Sequence, residues 1–328
     1  MVQLTAGELE ATFAPEVGMV GCSLRHRGQE LLGQRGGLEQ YQRSGSSFGI
    51  PLLHPWANRL EGMRYGQVEL DPSRSPIRQD EHGLPIHGLL SASPHWNVLS
   101  RGDSRFSARF SFDRPELLCA FPYPHELDVA VTLTAEGLGV STTLRATGVL
   151  PVPVAFGYHP YLSLPGVARE NWWVEMPVTE RAVLDRQGIP TGAADPVAFE
   201  PGPLGERAFD DLFPDIAPGA RFVLEGGGRR VEIVFEEGYP VAQVFAPEGQ
   251  DFICFEPMTA PTNALVTGLG LRRVHPGAEF GARFSIAVAA AGDPPRRAFR
   301  QRTEPIGLRV DVTNVAEAIE TLDGPAGR

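Results

Sequence analysis

The stretch LDVAVTLTAEGLGVSTTL, residues 127–144, decides the fold. Leu127, Val129, Val131 and Leu133 alternate with Asp128, Ala130, Thr132 and Thr134. This two-residue period belongs to a half-buried strand, whose successive side chains leave opposite faces. Glu136-Gly137 interrupts the run, and Leu138, Val140 and Leu144 resume it, so the segment reads as a hairpin. Working outward, Phe222 and Leu224 face Val231, Ile233 and Phe235 across Gly226-Gly227-Gly228, a second hairpin. Further on, Phe280, Ala282, Phe284, Ile286 and Val288 share one face of a late strand. Helical periodicity is scarce, and 37 glycines and 30 prolines spread along the chain imply frequent turns. The expected fold class is all-β, a large sandwich of antiparallel sheets. A length of 328 residues would suggest two domains, yet all-β domains often exceed that prior as single units.

The expected domain covers residues 1–290. From 291 to 328 the composition changes: AAGDPPRRAFRQRTEP reads as a linker, and NVAEAIETL as a short C-terminal helical tail. Val315, Ile319 and Leu322 share a helical face there, with Asn314 as cap and Glu317 three residues on.

Composition narrows the function classes. A net charge of −11 argues against a nucleic-acid partner. All 29 basic residues are arginine, so Schiff-base chemistry and a P-loop lysine are excluded for want of a side-chain amine. Cys22, Cys119 and Cys254 form no CxxC pair and read as small buried hydrophobes in a reducing compartment. The N-terminal MVQLTAGELEATF lacks a basic start and an apolar core, and no apolar run reaches membrane-spanning length. The expectation is a soluble, cytoplasmic protein with no membrane partner. Several motifs fail outright. His125-Glu126 begins like HExxH, but Val129 occupies the second histidine position; no HxH pair occurs, and GLGLRR at 268–273 lacks the third glycine of a dinucleotide loop.

Four segments set polar groups in apolar or proline-rich surroundings. FGIPLLHPWANRL (48–60) brings Asn58 and Arg59 after a run that ought to be buried. Arg59 reads either as a surface arginine ending a strand or as a fork with five N–H donors for sugar hydroxyls. GLPIHGLL (83–90) holds His87 between apolar residues, a setting equally fit for a packed core histidine. VAFGYHPYLSLPG (154–166) places His159 before Pro160, which biases it towards extended backbone, a good mount for proton transfer. DFICFEPMTAPTNAL (251–265) embeds Glu256 among Phe252, Ile253, Cys254, Phe255, Pro257 and Met258. Burial there should raise its pKa towards general-base duty, unless it merely pairs with an arginine.

Taken in order and spacing, these segments resemble the aldose 1-epimerase (galactose mutarotase) family over roughly residues 5–290. The resemblance implies a twisted, galactose mutarotase-like β-supersandwich with the sugar in an open cleft, a small-molecule sugar as partner, and neither metal nor organic cofactor in catalysis. It makes Glu256 of FEPMT the base at the anomeric hydroxyl and His159 of GYHPY the acid at the ring oxygen. Arg59 and His87 would bind hydroxyls, with Asn58 beside them. A family aspartate would be Asp210 of RAFDDLF, three before Phe213, with Asp211 as the competing choice. Trp56 and Tyr161 are candidates to stack on the sugar. Tyr161-Leu162-Ser163-Leu164 departs from the family's YFNL, which loosens any preference for galactose, and His54 stands where many relatives carry phenylalanine. Three rivals remain open. A hexose-6-phosphate epimerase would need clustered arginines such as Arg64, Arg74 and Arg78; a non-catalytic sugar-binding or regulatory module would not need the acid–base pair; a glycosidase would use Glu256 with Asp210. A monomer and a homodimer are both compatible with the sequence.

Overall fold

The computed structural model describes residues 1–291, so the linker and helix expected beyond Ala291 lie outside the described residues. The architecture is antiparallel throughout its named strands. A nine-stranded sheet runs in the order Gly202–Pro203, Trp173–Glu175, Ala220–Gly226, Arg229–Glu237, Glu279–Ala290, Gly137–Ala146, His125–Leu133, Arg105–Phe112 and Asn97–Arg101. A second sheet orders Phe209–Phe213, Val241–Ala246, Ile253–Met258, Gly157–Tyr158 and Leu52–Leu53, with Tyr161–Leu162 also paired to Ile253–Met258. Four N-terminal strands between Val2 and Glu30 form a third sheet.

Both hairpins form as their sequences require. Leu133 faces Leu138, and the Thr134 amide donates to the Gly137 carbonyl at 2.8 Å. Gly226 faces Arg229 across Gly227-Gly228, whose φ values of 58° and 75° suit a two-residue turn between twisted strands. The alternating apolar rows of the large sheet then meet the second sheet face to face. Phe222 packs on Phe255 with ring centroids 5.4 Å apart, Phe284 lies 5.0 Å from Tyr158, and the Tyr158 and Thr142 hydroxyls are 2.7 Å apart. Trp56 is only 1% exposed and belongs to this core, which removes it from the candidates for sugar stacking. Cys22 and Cys254 are buried as expected, whereas Cys119 is half-buried. Among the described residues no helix is long and apolar enough to cross a membrane.

His54 also belongs to the core. It packs against Phe112, Phe121 and Phe156, and its Nε2 lies 2.8 Å from Nε2 of the equally buried His125. His125 Nδ1 donates to the Tyr123 carbonyl at 2.6 Å, since a carbonyl can only accept. Its Nε2 is therefore the acceptor, and His54 Nε2–H is the donor. Burial depresses both imidazoles: His125 to about 4, and His54 well below its ordinary value, with the neighbouring His125 adding to the effect. Because both folded pKa values lie below the unfolded one, stability is complete above about 6.5. It is lost as pH falls from there through about 4. Urea unfolding should therefore show a clear loss of stability between pH 7.5 and 5.0. His54→Phe should be about 1–3 kcal/mol less stable at pH 7.5, because His125 Nε2 loses its donor. The same substitution should narrow the difference between the two pH values. An unchanged difference would show that the pair does not carry the acid sensitivity.

Candidate active site

The strand Ile253–Met258 is buried at every position, so the second sheet is covered on both faces. Alternation sends Ile253 and Phe255 into the main core, and Cys254, Glu256 and Met258 to the opposite side. Pairing carries that face across the sheet. Gln243 lies beside Glu256, Phe245 beside Cys254, and Asp210 beside Phe245. Asp210 thus shares the face of Glu256, and Gln243 Nε2 donates to its Oδ1 at 2.7 Å. Asp211 falls on the other pleat, 3.6 Å from Arg181. The period-two geometry of an edge strand separates the two aspartates that motif spacing left open.

His159 arrives from the neighbouring strand Gly157–Tyr158, its amide donating to the Pro51 carbonyl at 3.1 Å. Gly157 permits this approach: a Cβ there would lie 2.8 Å from the Pro257 carbonyl and 3.0 Å from Ala57 Cβ. The His159 imidazole stacks flat on Tyr161, with centroids 4.4 Å apart, and meets the His87 ring edge-on at 5.5 Å. Its Nε2 lies 3.2 Å from Glu256 Oε1, without the alignment of a hydrogen bond, since that oxygen has no bonded partner.

Asn58 and His87 both adopt positive φ, 54° and 62°, and the His87 amide donates to the Asn58 carbonyl at 3.0 Å. These two bends bring their segments together and turn Arg59 inward. Arg59 Nε donates to Asp80 Oδ2 at 2.6 Å and Nη1 to Asn58 Oδ1 at 3.2 Å, while Glu81 lies 3.7 Å from Nη2. With its side chain 14% exposed, Arg59 is a wall of the site, and the reading as a surface arginine does not hold.

All six residues singled out from sequence, Asn58, Arg59, His87, His159, Asp210 and Glu256, line one cleft of about 360 Å³. Tyr161 lines it too. Sequence reasoning missed Arg35 and Gln243, which also face this space. The signals were present: Arg35 sits at φ 46° in the glycine-rich LGQRGG turn, and Gln243 is a lone polar residue in the apolar strand VAQVFA. Of the three arginines considered for a phosphate site, only Arg78 reaches the cleft. Arg64 is turned to the Gly66 carbonyl and Arg74 to Cys119 Sγ, both at the exposed surface. Among the described residues no group of three or more His, Cys, Asp or Glu side chains converges as a metal-binding set would.

Burial governs the electrostatics. It raises the Glu256 carboxyl well above the usual carboxylate range; nearby Asp210 raises it further, and Arg59 opposes the shift. It lowers His159 to about 3, with the Arg35 charge adding to the effect. Asp210 is raised by burial as well. The ion pair between Glu256 and His159 is therefore disfavoured despite their contact, because two desolvated charges cost more than their attraction returns. The pair holds a single proton over a wide pH range.

Fold and cleft together define a β-sandwich protein of the galactose mutarotase-like type. Solved structures agree at the level of the fold. A galactose mutarotase-like protein of Clostridium acetobutylicum matches with TM-score 0.75 and 19% identity, covering 88% of this chain and 94% of that one. The GalM/aldose epimerase homologue of C. elegans matches with TM-score 0.71 and 17% identity, over 88% and 98%. The model of the aldose 1-epimerase family matches residues 2–287, and the chain belongs to that family. An uncharacterized protein of Escherichia coli K12, YihR, is 25% identical over 207 residues, 58% of this chain. That match spans about 59% of YihR's own length.

The raised carboxyl carries a stability cost that can be measured. Its folded pKa exceeds the unfolded one, so its contribution is fully present below about 4.5 and is lost as pH rises through the folded value. Glu256→Gln should therefore match or exceed the wild type in stability, by a margin that grows from pH 6 to pH 9. Each tenfold difference in proton affinity corresponds to about 1.4 kcal/mol. A margin independent of pH in denaturant titrations would contradict the shift.

Proposed function

We propose that this protein is an aldose 1-epimerase that interconverts the α and β anomers of an aldohexose by opening and reclosing its ring. The observation that carries the reading is the 3.2 Å separation of Glu256 Oε1 and His159 Nε2, both almost wholly buried, at the floor of a polar cleft. The reaction exchanges protons at two oxygens bonded to the same carbon, the anomeric hydroxyl and the ring oxygen. Groups acting on such neighbouring oxygens must themselves be neighbours, as these are. Once the shared proton passes to His159, Glu256 takes the proton of the anomeric hydroxyl while His159 delivers its own to the ring oxygen, and the C1–O5 bond breaks, leaving one proton on the pair as before. The open aldehyde turns about C1–C2, and the reverse transfers close the ring with the other configuration. Arg59, His87, Asn58 and Asp210 supply donors and acceptors for the sugar's hydroxyls. The Tyr161 ring braces the imidazole. No nucleophile is required, and general acid–base assistance is worth about 10² to 10⁴ per group.

Anomeric exchange followed by polarimetry or saturation-transfer NMR tests this directly. Glu256→Gln and His159→Asn should each lower kcat by about 10² or more, with the fold and much of the sugar affinity retained. Normal turnover by Glu256→Gln would remove the carboxyl from the mechanism.

The pH profile follows from the shared proton. Catalysis needs one proton on the pair, so kcat/KM should stay level as pH rises from about 5 and fall only once pH passes the raised Glu256 value, where the carboxyl ionises and the pair is emptied. A decline on acidification around pH 6.5, the ordinary imidazole value, would mean that His159 titrates as a free group and would overturn this account.

A further inference from the structure

Two arginines at one wall of the cleft take no part in the proton transfers. Arg35 is held by the Ser47 carbonyl and the Tyr161 hydroxyl, both 3.1 Å from its Nη1. Its guanidinium lies over the rings of Tyr161 and Phe252 at 5.3 and 5.6 Å. Arg78 is half-buried, and its Nη1 is enclosed without any hydrogen-bond partner. Neither forms an ion pair among the described residues. Arg59 differs, because Asp80 and Glu81 already answer its charge. The remaining acids do not compensate Arg35 and Arg78 either. Burial favours the uncharged form of Glu256, and the cation that acts on Asp210 is Arg59.

A guanidinium withdrawn from water without a partner is unfavourable, and two facing the same space repel each other. Arg78 feels both effects, burial first, with the Arg35 charge also weakening its hold on the proton and Tyr41 and Tyr161 opposing the shift. Overall attraction for anions is absent, since the chain carries a net charge of −11. A local, unanswered pair of cations in an acidic protein is an arrangement suited to one ligand group. Guanidinium forks match the spacing of oxyanion oxygens.

We propose that the aldose taken by this cleft carries an oxyanion, phosphoryl or sulfo, remote from its anomeric carbon and received by Arg35 and Arg78. This rests on the epimerase reading, because Glu256 and His159 fix where the anomeric carbon lies. Tyr161 stands between that pair and Arg35: its ring stacks on His159, and its hydroxyl bonds to Arg35. The anion therefore sits one aromatic side chain away from the reacting carbon, at the far end of the sugar.

The test compares anomeric exchange of glucose and galactose with that of their 6-phosphates and 6-sulfonates. Wild-type kcat/KM should favour an anionic form by at least tenfold, and whichever of the two is preferred names the group. Arg78→Gln and Arg35→Gln should each lower that anionic-to-neutral ratio by tenfold or more. Inorganic phosphate or sulfate should compete with the sugar in the wild type, an arm that needs no variant to fold. Equal turnover of neutral and anionic sugars, with no competition by either ion, would overturn the inference while leaving the epimerase reading intact. Exchange of no sugar at all would overturn both.

Discussion

A carboxyl on a strand buried along its whole length is almost wholly withdrawn from water, and the cleft is organised around that constraint. Ile253–Met258 has the main core on one face and the cleft on the other, so every side chain along it is buried. A carboxylic acid placed there carries a desolvation cost that its neighbours only partly relieve. Glu256 Oε1 has no bonded partner, and its closest cationic candidate, His159, is itself driven to the neutral form. Such an arrangement is poor for stability and good for proton transfer, because neither group is committed to a charge before a substrate arrives. The same strand would be a routine core element if position 256 were apolar.

The surrounding structure holds that unfavourable pair in place. Gly157 allows the histidine-bearing segment to approach the Glu256 strand closely enough for contact. Asn58 and His87, bent into positive φ and joined by a backbone hydrogen bond, carry Arg59 into the wall, and the Asn263 amide donates to the Arg59 carbonyl at 3.0 Å. Backbone strain of this kind, about 1–3 kcal/mol per residue, is maintained where surrounding contacts over-determine it. The buried His54–His125 contact lies elsewhere in the core, between aromatic rings, and contributes acid sensitivity without touching the cleft lining.

Sequence identity to the clostridial and nematode structures is below one fifth, yet the fold is shared over most of each chain. A sandwich tolerates that divergence because its strands need only alternate and fill volume. The cleft is less forgiving, and there the individual character of this chain appears. The absence of lysine makes every cation in the site a planar fork. Arg35 and Arg78 line the cleft without an ion pair among the described residues, whereas Arg59 is answered by Asp80 and Glu81.

What the sequence determined by itself was whatever depends on short-range periodicity and local stereochemistry. Strand faces are legible at 127–144, 222–235 and 280–288, because alternation is a property of neighbouring residues. The apolar setting of Glu256 and the proline after His159 single out both residues within their own short segments. Tertiary structure decided which faces meet and in what register. Asp210, and not Asp211, looks into the cleft because of how its strand pairs with Val241–Ala246. Arg35 and Gln243 enter the site from segments whose local signals, a glycine-rich turn and a lone polar residue in an apolar strand, name no chemistry, and Trp56 leaves it for the core. The contact between Glu256 and His159 is a sum of many long-range packing and pairing terms. No local pattern encodes that sum, and only the folded chain evaluates it.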